Sequence, residues 1–299
     1  MSRPRLRIGG YQFEVSVHTR ALRHFASALR GRLGAAFSLE IVTDVTAQRL
    51  RATDLPALVD TGELDACYFA SSYLAGRVPS LGLLELPFPP TDREQLYRKL
   101  DGDLGARLSA DVDARTGYRV LGFWDNGFRH VSNRLRPIRH PDDCSGMRLR
   151  TLDNALHRQI FAALGFEPIF IDVKDLADAV ARHAVDAQEN PLTNLVNFGL
   201  FRTHRHVSLT SHFFGVALFL MNRGRLDALP SEIQLAVRAA AAEATSEQRA
   251  LAAVEDARCL ALLHEDGVHV MAAEGIDLAA FSVRLAPIVN RERKRLGCP

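Results

Sequence analysis

The stretch from Trp124 to Pro191 holds the residues best suited to recognition chemistry. It begins Trp124-Asp125-Asn126-Gly127-Phe128-Arg129, passes through Gly146-Met147-Arg148-Leu149-Arg150 and closes on Asp186-Ala187-Gln188-Glu189-Asn190-Pro191. Arg129, Arg150 and Asn190 each stand at the edge of a short apolar run. A guanidinium is a planar fork of donors that matches a carboxylate in bidentate fashion. An asparagine amide adds both a donor and an acceptor. Together these types describe a pocket for a small organic acid. Each also has a plainer reading. A lone arginine at a strand end is commonly solvated or held in a structural ion pair, and a nearby Glu or Asp would neutralise Arg129 in that way. Asn190 also fits a simple turn, because the residue before a proline is held extended.

Other chemistry finds little support. There is no G-x-S-x-G elbow, no H-E-x-x-H and no Walker-type glycine loop. Thr203-His204-Arg205-His206, with His212 nearby, lacks an acidic or cysteine partner at metal-site spacing and reads as a surface loop, so no metal is expected. Glu292-Arg293-Lys294-Arg295 reads as a solvated helix end rather than a nucleic-acid patch, since basic residues suit a helix C-terminus. His264-Glu265 is an isolated pair at the end of a helical pattern. No cofactor is implied, and the chain reads as a binder rather than an enzyme.

The elements that must position these residues follow from periodicity. Strand-like Leu6 to Gly10 precedes a helical face of Leu22, Phe25, Ala26, Leu29 and Leu33. Phe37 to Val42, a helix opening at Leu55, and Leu64 to Ala70 complete a strand-helix-strand-helix-strand run, the mark of an α/β lobe with a largely parallel sheet. Leu83 to Pro90 is a stiff connector. A helix from Arg93 to Thr116 leads to the strand Tyr118 to Trp124, which delivers Asn126 and Arg129 to its end, where ligands gather in open α/β sheets. Further on come strands Met147 to Thr151 and Pro168 to Val173, helices Ala155 to Leu164 and Leu176 to His183, and two strands, Val207 to Thr210 and Val216 to Met221. Pro230 to Leu263 is one alanine-rich helix, long enough to lie across two lobes. A last helix, Leu278 to Leu296, is expected to kink or split at Pro287.

Length and composition agree with such a chain. Its 299 residues suffice for two packed lobes, and 47% apolar with 24% charged residues is ordinary for a globular protein. A net charge of +2 gives no strong pull toward nucleic acid or anionic membrane. No apolar run approaches a membrane span, and Met1 to Gly10 lacks the apolar core of a secretory signal, so an export signal was either never there or has been cut from this numbering. Cys67, Cys144, Cys259 and Cys298 form no C-x-x-C pair and no disulfide framework, and Cys67 reads as a small core residue.

An ordered set of motifs resembles the DctP-type solute-binding proteins of TRAP (tripartite ATP-independent periplasmic) transporters. The set is Gly62-Glu63-Leu64-Asp65, Leu86-Pro87-Phe88, Gly127-Phe128-Arg129 with Asn133 and Arg136-Pro137-Ile138, Pro141-Asp142-Asp143 with Gly146 to Arg150, and Asp186 to Pro191. The resemblance covers essentially the whole chain. It implies an α/β, two-lobed, type II periplasmic-binding-protein-like fold with the long helix spanning both lobes. Lobe I would comprise 1–123 and 214–252, and lobe II 124–213 and 253–299. It implies a monomeric periplasmic protein that captures a small organic acid and closes about a hinge for recognition by membrane permease subunits. Arg150 corresponds to the arginine that grips the ligand carboxylate, Arg129 to a second arginine of that site, and Asn190 to a hydrogen-bonding asparagine. Tyr11 and Ser71 stand where the first lobe contributes contacts. The sequence departs from the family pattern at Val173, where a ligand-covering aromatic is usual, at Asp175 and Ala177 in the helix that follows, and at His183 in place of a glycine. The anchor is intact and the rest of the pocket is altered. Two other readings stay open: a cytoplasmic ligand sensor or carrier on the same fold, and an enzyme acting on a small organic acid.

Overall fold

The structure is a computed structural model that describes residues 5–34 and 37–297, so Cys298 lies outside the described residues. In chain order the elements are β1 (Arg5–Gly9), α1 (Val17–Leu33), β2 (Ser38–Val42), α2 (Leu55–Asp60), β3 (Ala66–Ala70), α3 (Ser71–Leu74), α4 (Arg93–Asp101), α5 (Asp103–Arg115), β4 (Tyr118–Asn133) and β5 (Arg148–Thr151). They continue through α6 (Ala155–Ala163), β6 (Glu167–Phe170), α7 (Val173–Ala181), β7 (Ala187–Pro191), α8 (Leu192–Asn197), β8 (His206–Asn222), α9 (Arg223–Asp227), α10 (Ser231–Glu265), β9 (His269–Met271) and α11 (Leu278–Arg295). The mixed α/β architecture expected from the sequence is present.

Two compact units form. The first comprises Met1–Ser71, Glu94–Asp125 and Val216–Ala253. In it β1 pairs in parallel with β2 (Ile8 opposite Ile41) and with β3 (Gly9 opposite Cys67), and β3 pairs antiparallel with β8 (Tyr68 opposite Phe219). Helix α1 is started by Ser16, whose side chain accepts from the Thr19 N–H at 3.1 Å, and it buries Leu22, Phe25 and Leu29. Phe25 meets Phe219 edge-on at 5.0 Å, and Trp124 stacks on Phe219 at 4.9 Å. The Trp124 indole N–H donates to Thr245 Oγ1 at 3.1 Å, which satisfies the one polar atom of a fully buried ring and fixes α10 against β4.

The second unit comprises Ser72–Arg93, Asn126–Gly215 and Val254–Pro299. Here β4 pairs antiparallel with β7 (His130 opposite Asn190), β7 pairs in parallel with β5 (Gln188 opposite Arg150), and β5 with β6 (Thr151 opposite Phe170). β9 runs parallel to β8 (Val270 opposite Val207). One core gathers Met147, Leu149, Phe161, Phe213, Phe281 and Leu285. Another gathers Leu176, Val185, Leu195, Phe201, Cys259 and Leu263.

Several boundaries differ from those read off the sequence. The expected helix from Arg93 to Thr116 is broken at Gly102, which is extended (φ −101°, ψ −147°) and starts α5. Gly105 allows the close approach that follows, since a Cβ there would lie 1.7 Å from the Leu100 carbonyl oxygen. The strands expected at Val207 to Thr210 and Val216 to Met221 are one strand, β8, with Ser211 at φ 44° absorbing the irregularity between them. The strand expected to end at Trp124 runs on to Asn133 as β4. Helix α11 passes through Pro287 without splitting; the proline is exposed, as is Val283 one turn earlier, so the carbonyl left without its helical donor meets water. His204 is not on a surface loop: it is fully buried, with Nδ1 3.1 Å from Ser132 Oγ.

His183 ends α7 in the left-handed region at φ 57°, where a side chain is strained and glycine is not. Its backbone is engaged at both ends: the N–H donates to the Val180 carbonyl at 3.1 Å and the carbonyl accepts from Arg148 Nη2 at 2.9 Å. His183→Gly is therefore expected to raise stability by about 0.5–1 kcal/mol, after the larger entropy of the unfolded glycine chain is set against the relief. An unchanged or lower urea midpoint would show that the histidine side chain contributes more than its backbone costs.

Candidate ligand-binding site

Arg150 lies at the end of β5, behind the fully buried Leu149. Its side chain is almost completely buried, at 1% exposure for the residue. Nε donates to the Ile171 carbonyl at 2.8 Å, which leaves the outer edge of the fork for another partner. Nη2 is buried and has no hydrogen-bond partner, and among the described residues no carboxylate pairs with Arg150. A buried guanidinium with an orphaned donor is costly, because the donor has lost water and gained nothing. An incoming carboxylate supplies both the missing acceptor and the missing charge.

Arg129 is held differently. On β4 it faces Glu189 of β7, and the two form a bidentate pair: Nε to Oε2, and Nη2 to Oε1 at 2.8 Å. Nη2 also donates to the Glu189 carbonyl at 2.8 Å and to Asn190 Oδ1 at 3.3 Å. Glu189 is wholly buried, and His212 Nε2 stands 3.4 Å from its Oε2. Burial works against the Glu189 charge, but the Arg129 guanidinium and the His212 ring outweigh it and hold the carboxyl well below the usual range. Asn190 is in turn fixed by its neighbours. Its Nδ2 donates to Gln188 Oε1 at 2.6 Å, and its Oδ1 accepts from Asn194 Nδ2 at 3.0 Å. The strand carrying these residues is clamped at its start by Asp186, which binds Arg148 and Arg134; those bonds keep its carboxyl well below the usual range.

Tyr73 joins the two arginines. Burial raises its phenol above the ordinary value, while Arg150 and, more weakly, Arg129 pull it back, so both guanidiniums act on one hydroxyl. The segment carrying Tyr73 is tied to α6 by Asn154. That residue caps α6, accepting from the Leu156 N–H at 2.9 Å, and its Nδ2 donates to the Ser72 carbonyl at 3.1 Å. The structure therefore brings Arg129, Asn190 and Arg150 into one region of the second unit. Tyr11 and Ser71 lie in the first unit, both buried; the Tyr11 N–H donates to the Tyr68 hydroxyl at 3.1 Å. Glu189 and Tyr73 were not singled out from the sequence as site residues, and His212 was weighed there only for a metal. A charged residue between Val185-Ala187 and Pro191 was the available signal for Glu189.

No group of three or more His, Cys, Asp or Glu side chains among the described residues converges to hold a metal. Three of the buried histidines, His18, His130 and His204, are neutral instead. Burial pushes His18, His130 and His204 down to about 3 from 6.5. The unfolded chain thus binds more protons than the folded one below pH 6.5, so stability is full above that value and falls as the pH drops toward 3. Each such histidine contributes a slope of about 1.4 kcal/mol per pH unit once its unfolded form is protonated. His204→Gln is expected to make the decline between about pH 5.5 and 4.5 shallower by that amount. Equal slopes in denaturant titrations of parent and variant would mean that His204 takes up its proton without unfolding.

Comparison with known proteins bears out the family resemblance carried by the motifs. Residues 12–295 match the family model DctP, described as bacterial extracellular solute-binding protein, family 7. A solute-binding protein of Verminephrobacter eiseniae is 30% identical over 277 residues, which is 93% of this chain and 81% of that protein. The 2,3-diketo-L-gulonate-binding periplasmic protein of Escherichia coli is 29% identical over 262 residues, 88% of this chain and 78% of that one. Among solved structures, a TRAP periplasmic solute-binding protein from Roseobacter denitrificans with bound β-D-glucuronate superposes with a TM-score of 0.91 at 27% identity, covering 97% of this chain and 95% of that one. The motif order, the α/β architecture and these matches have one explanation: the chain belongs to the DctP family of bacterial extracellular solute-binding proteins, family 7.

Proposed function

We propose that this DctP-family protein captures a small organic acid by seating its carboxylate on Arg150 and presents it to the membrane permease subunits of a TRAP-type transporter from the periplasmic side. The observation that carries the reading is the buried Arg150 guanidinium, whose Nη2 has no acceptor and which no carboxylate neutralises among the described residues. Arg129 and Asn190 belong to the same region but are held by Glu189, Gln188 and Asn194. Their role is to shape and support the anchor's surroundings. Relatives point to the ligand class, since the E. coli protein is named for a keto sugar acid and the R. denitrificans protein holds a uronate. Binding moves no bonds, so the residues need only orient and neutralise the acid.

The direct test is a thermal-shift screen against sugar acids, hydroxy acids and dicarboxylates. A ligand at a hundred times its Kd stabilises the folded state by about 2.7 kcal/mol, which raises the melting temperature measurably. If no carboxylic acid shifts the transition while neutral sugars do, the carboxylate reading is wrong.

A further inference from the structure

His206 opens β8 and His269 opens β9, and the parallel register sets the two directly opposite. Their rings stack, with centroids 5.3 Å apart and planes 17° from parallel. His206 is half-buried, and its Nδ1 is enclosed without a hydrogen-bond partner. His269 is exposed. Among the described residues β9 pairs with β8 alone, and it is three residues long. It is wedged between two cores: Val270 packs against the one around Leu263, and Met271 against the one around Phe281. The His269 N–H donates to the Arg205 carbonyl at 2.9 Å, so the two histidines sit where the ladder holding this wedge begins.

Two neutral imidazoles stack without penalty, but two imidazoliums at this separation repel each other. Burial, and then the like charge of His269, hold His206 below its ordinary value, and no carboxylate draws it back. The charged groups around the pair are engaged elsewhere or face water. Arg205, just before β8, binds Asp266 of the turn before β9, Nη1 to Oδ2 at 2.6 Å. His264 and Glu265 end α10 and are exposed. Beyond β9 the Asp277 N–H donates to the Arg139 carbonyl, and both residues are exposed. Ser208, the next residue of β8 on the same face, is neutral and accepts the Ile138 N–H at 3.1 Å. We propose that the His206–His269 pair is a pH-sensitive latch on β9, closed while both rings are neutral and released locally when they take up protons. Because the folded pair disfavours the proton, the pairing of β9 is fully present above the ordinary histidine value of 6.5 and weakens as the pH falls below it. Release uncovers Val270 and Met271 and loosens the lead into α11. A short strand at a sheet edge can open in this way while the rest of the chain stays folded.

Hydrogen exchange of the full chain, corrected for the intrinsic effect of pH on the amides, measures the latch. At pH 6 and at pH 5 the β9 amides are expected to be less protected than those of β4, which marks a local opening. Their protection should fall by about eightfold between the two values, the effect of one proton that is taken up only on opening. His206→Phe keeps an aromatic ring in the half-buried place and should remove most of this dependence from β9 while leaving that of β4. His269→Phe should reduce it, since it removes the repulsion and leaves the burial. Three results overturn the latch: β9 equally protected at pH 6 and pH 5, β9 as well protected as β4 so that it opens only with the whole fold, or a folded His206→Phe that retains the parent's dependence. If His206→Phe does not fold, the parent's β9 and β4 amides still decide between local and global opening, and a His269→Phe response identical to the parent's overturns the role of the pair.

Discussion

Replacing Arg150 by alanine is expected to weaken acid binding by about 2–5 kcal/mol, roughly thirty- to several-thousand-fold. The ligand's carboxylate would be left in a buried place from which its one uncompensated cation has gone. The same change should cost little stability in the absence of ligand. An orphaned buried donor disappears along with the packing of the side chain, and removing such a donor is worth about 1–3 kcal/mol in the opposite direction. Arg150→Ala therefore separates binding from folding. Arg150→Lys keeps the charge but not the planar fork, and it also loses the donor that holds the Ile171 carbonyl, so it should recover only part of the affinity. Calorimetry with the acid that gives the largest thermal shift provides the ranking, after circular dichroism confirms that each variant is folded. If Arg150→Ala binds within about threefold of the parent, under 1 kcal/mol, the anchor lies elsewhere.

The Arg129–Glu189 pair should show the reverse pattern. Glu189→Ala leaves the Arg129 guanidinium buried without its carboxylate, and breaking a pair of this kind costs about 3–5 kcal/mol of stability. The side chains are only 6% and 0% exposed, so water cannot take the carboxylate's place. Arg129→Ala strands Glu189 and should cost a similar amount. Replacing both residues together by apolar side chains of similar volume should cost much less than either single change, because no buried charge is then left unpaired. Urea unfolding of the two single variants and the double variant measures the coupling. A Glu189→Ala loss under about 1 kcal/mol would mean that the pair is solvated in solution. Arg129→Ala should also weaken binding less than Arg150→Ala does, since its fork is already engaged.

The residue proposed as the anchor was more legible in the sequence than its surroundings, for a physical reason. Arg150 follows Gly146-Met147-Arg148-Leu149, and a glycine turn feeding a short strand places the arginine in a recognisable local frame; Gly146 has φ 73°. Gly127 is similar: at φ 84°, with a Cβ there only 2.8 Å from Pro191 Cβ, it allows β4 and β7 to come together at the motif. Such features depend on neighbours in the chain. The partner of Arg129 is 60 residues away, and which of 35 acidic residues would reach it could not be read from local pattern. The burial of His204 escaped notice for a related reason. A histidine among Thr, Arg and His looks solvated until Ser132, 72 residues earlier, is seen beneath it. Gly102, inside the helix expected from Arg93 to Thr116, is the local signal for the break between α4 and α5.

The orphaned donor on Arg150 also bears on laboratory practice. A buried cation lacking an acceptor will take whatever small anion the solution offers, and acetate, formate and citrate all carry the group it recognises. A titration in acetate buffer is then a competition experiment, and the apparent Kd should climb linearly with acetate concentration while the protein's melting temperature climbs as well. Purification steps that use carboxylate buffers would leave the site partly filled. Dialysis into a carboxylate-free zwitterionic buffer should therefore lower the melting temperature before any ligand is added.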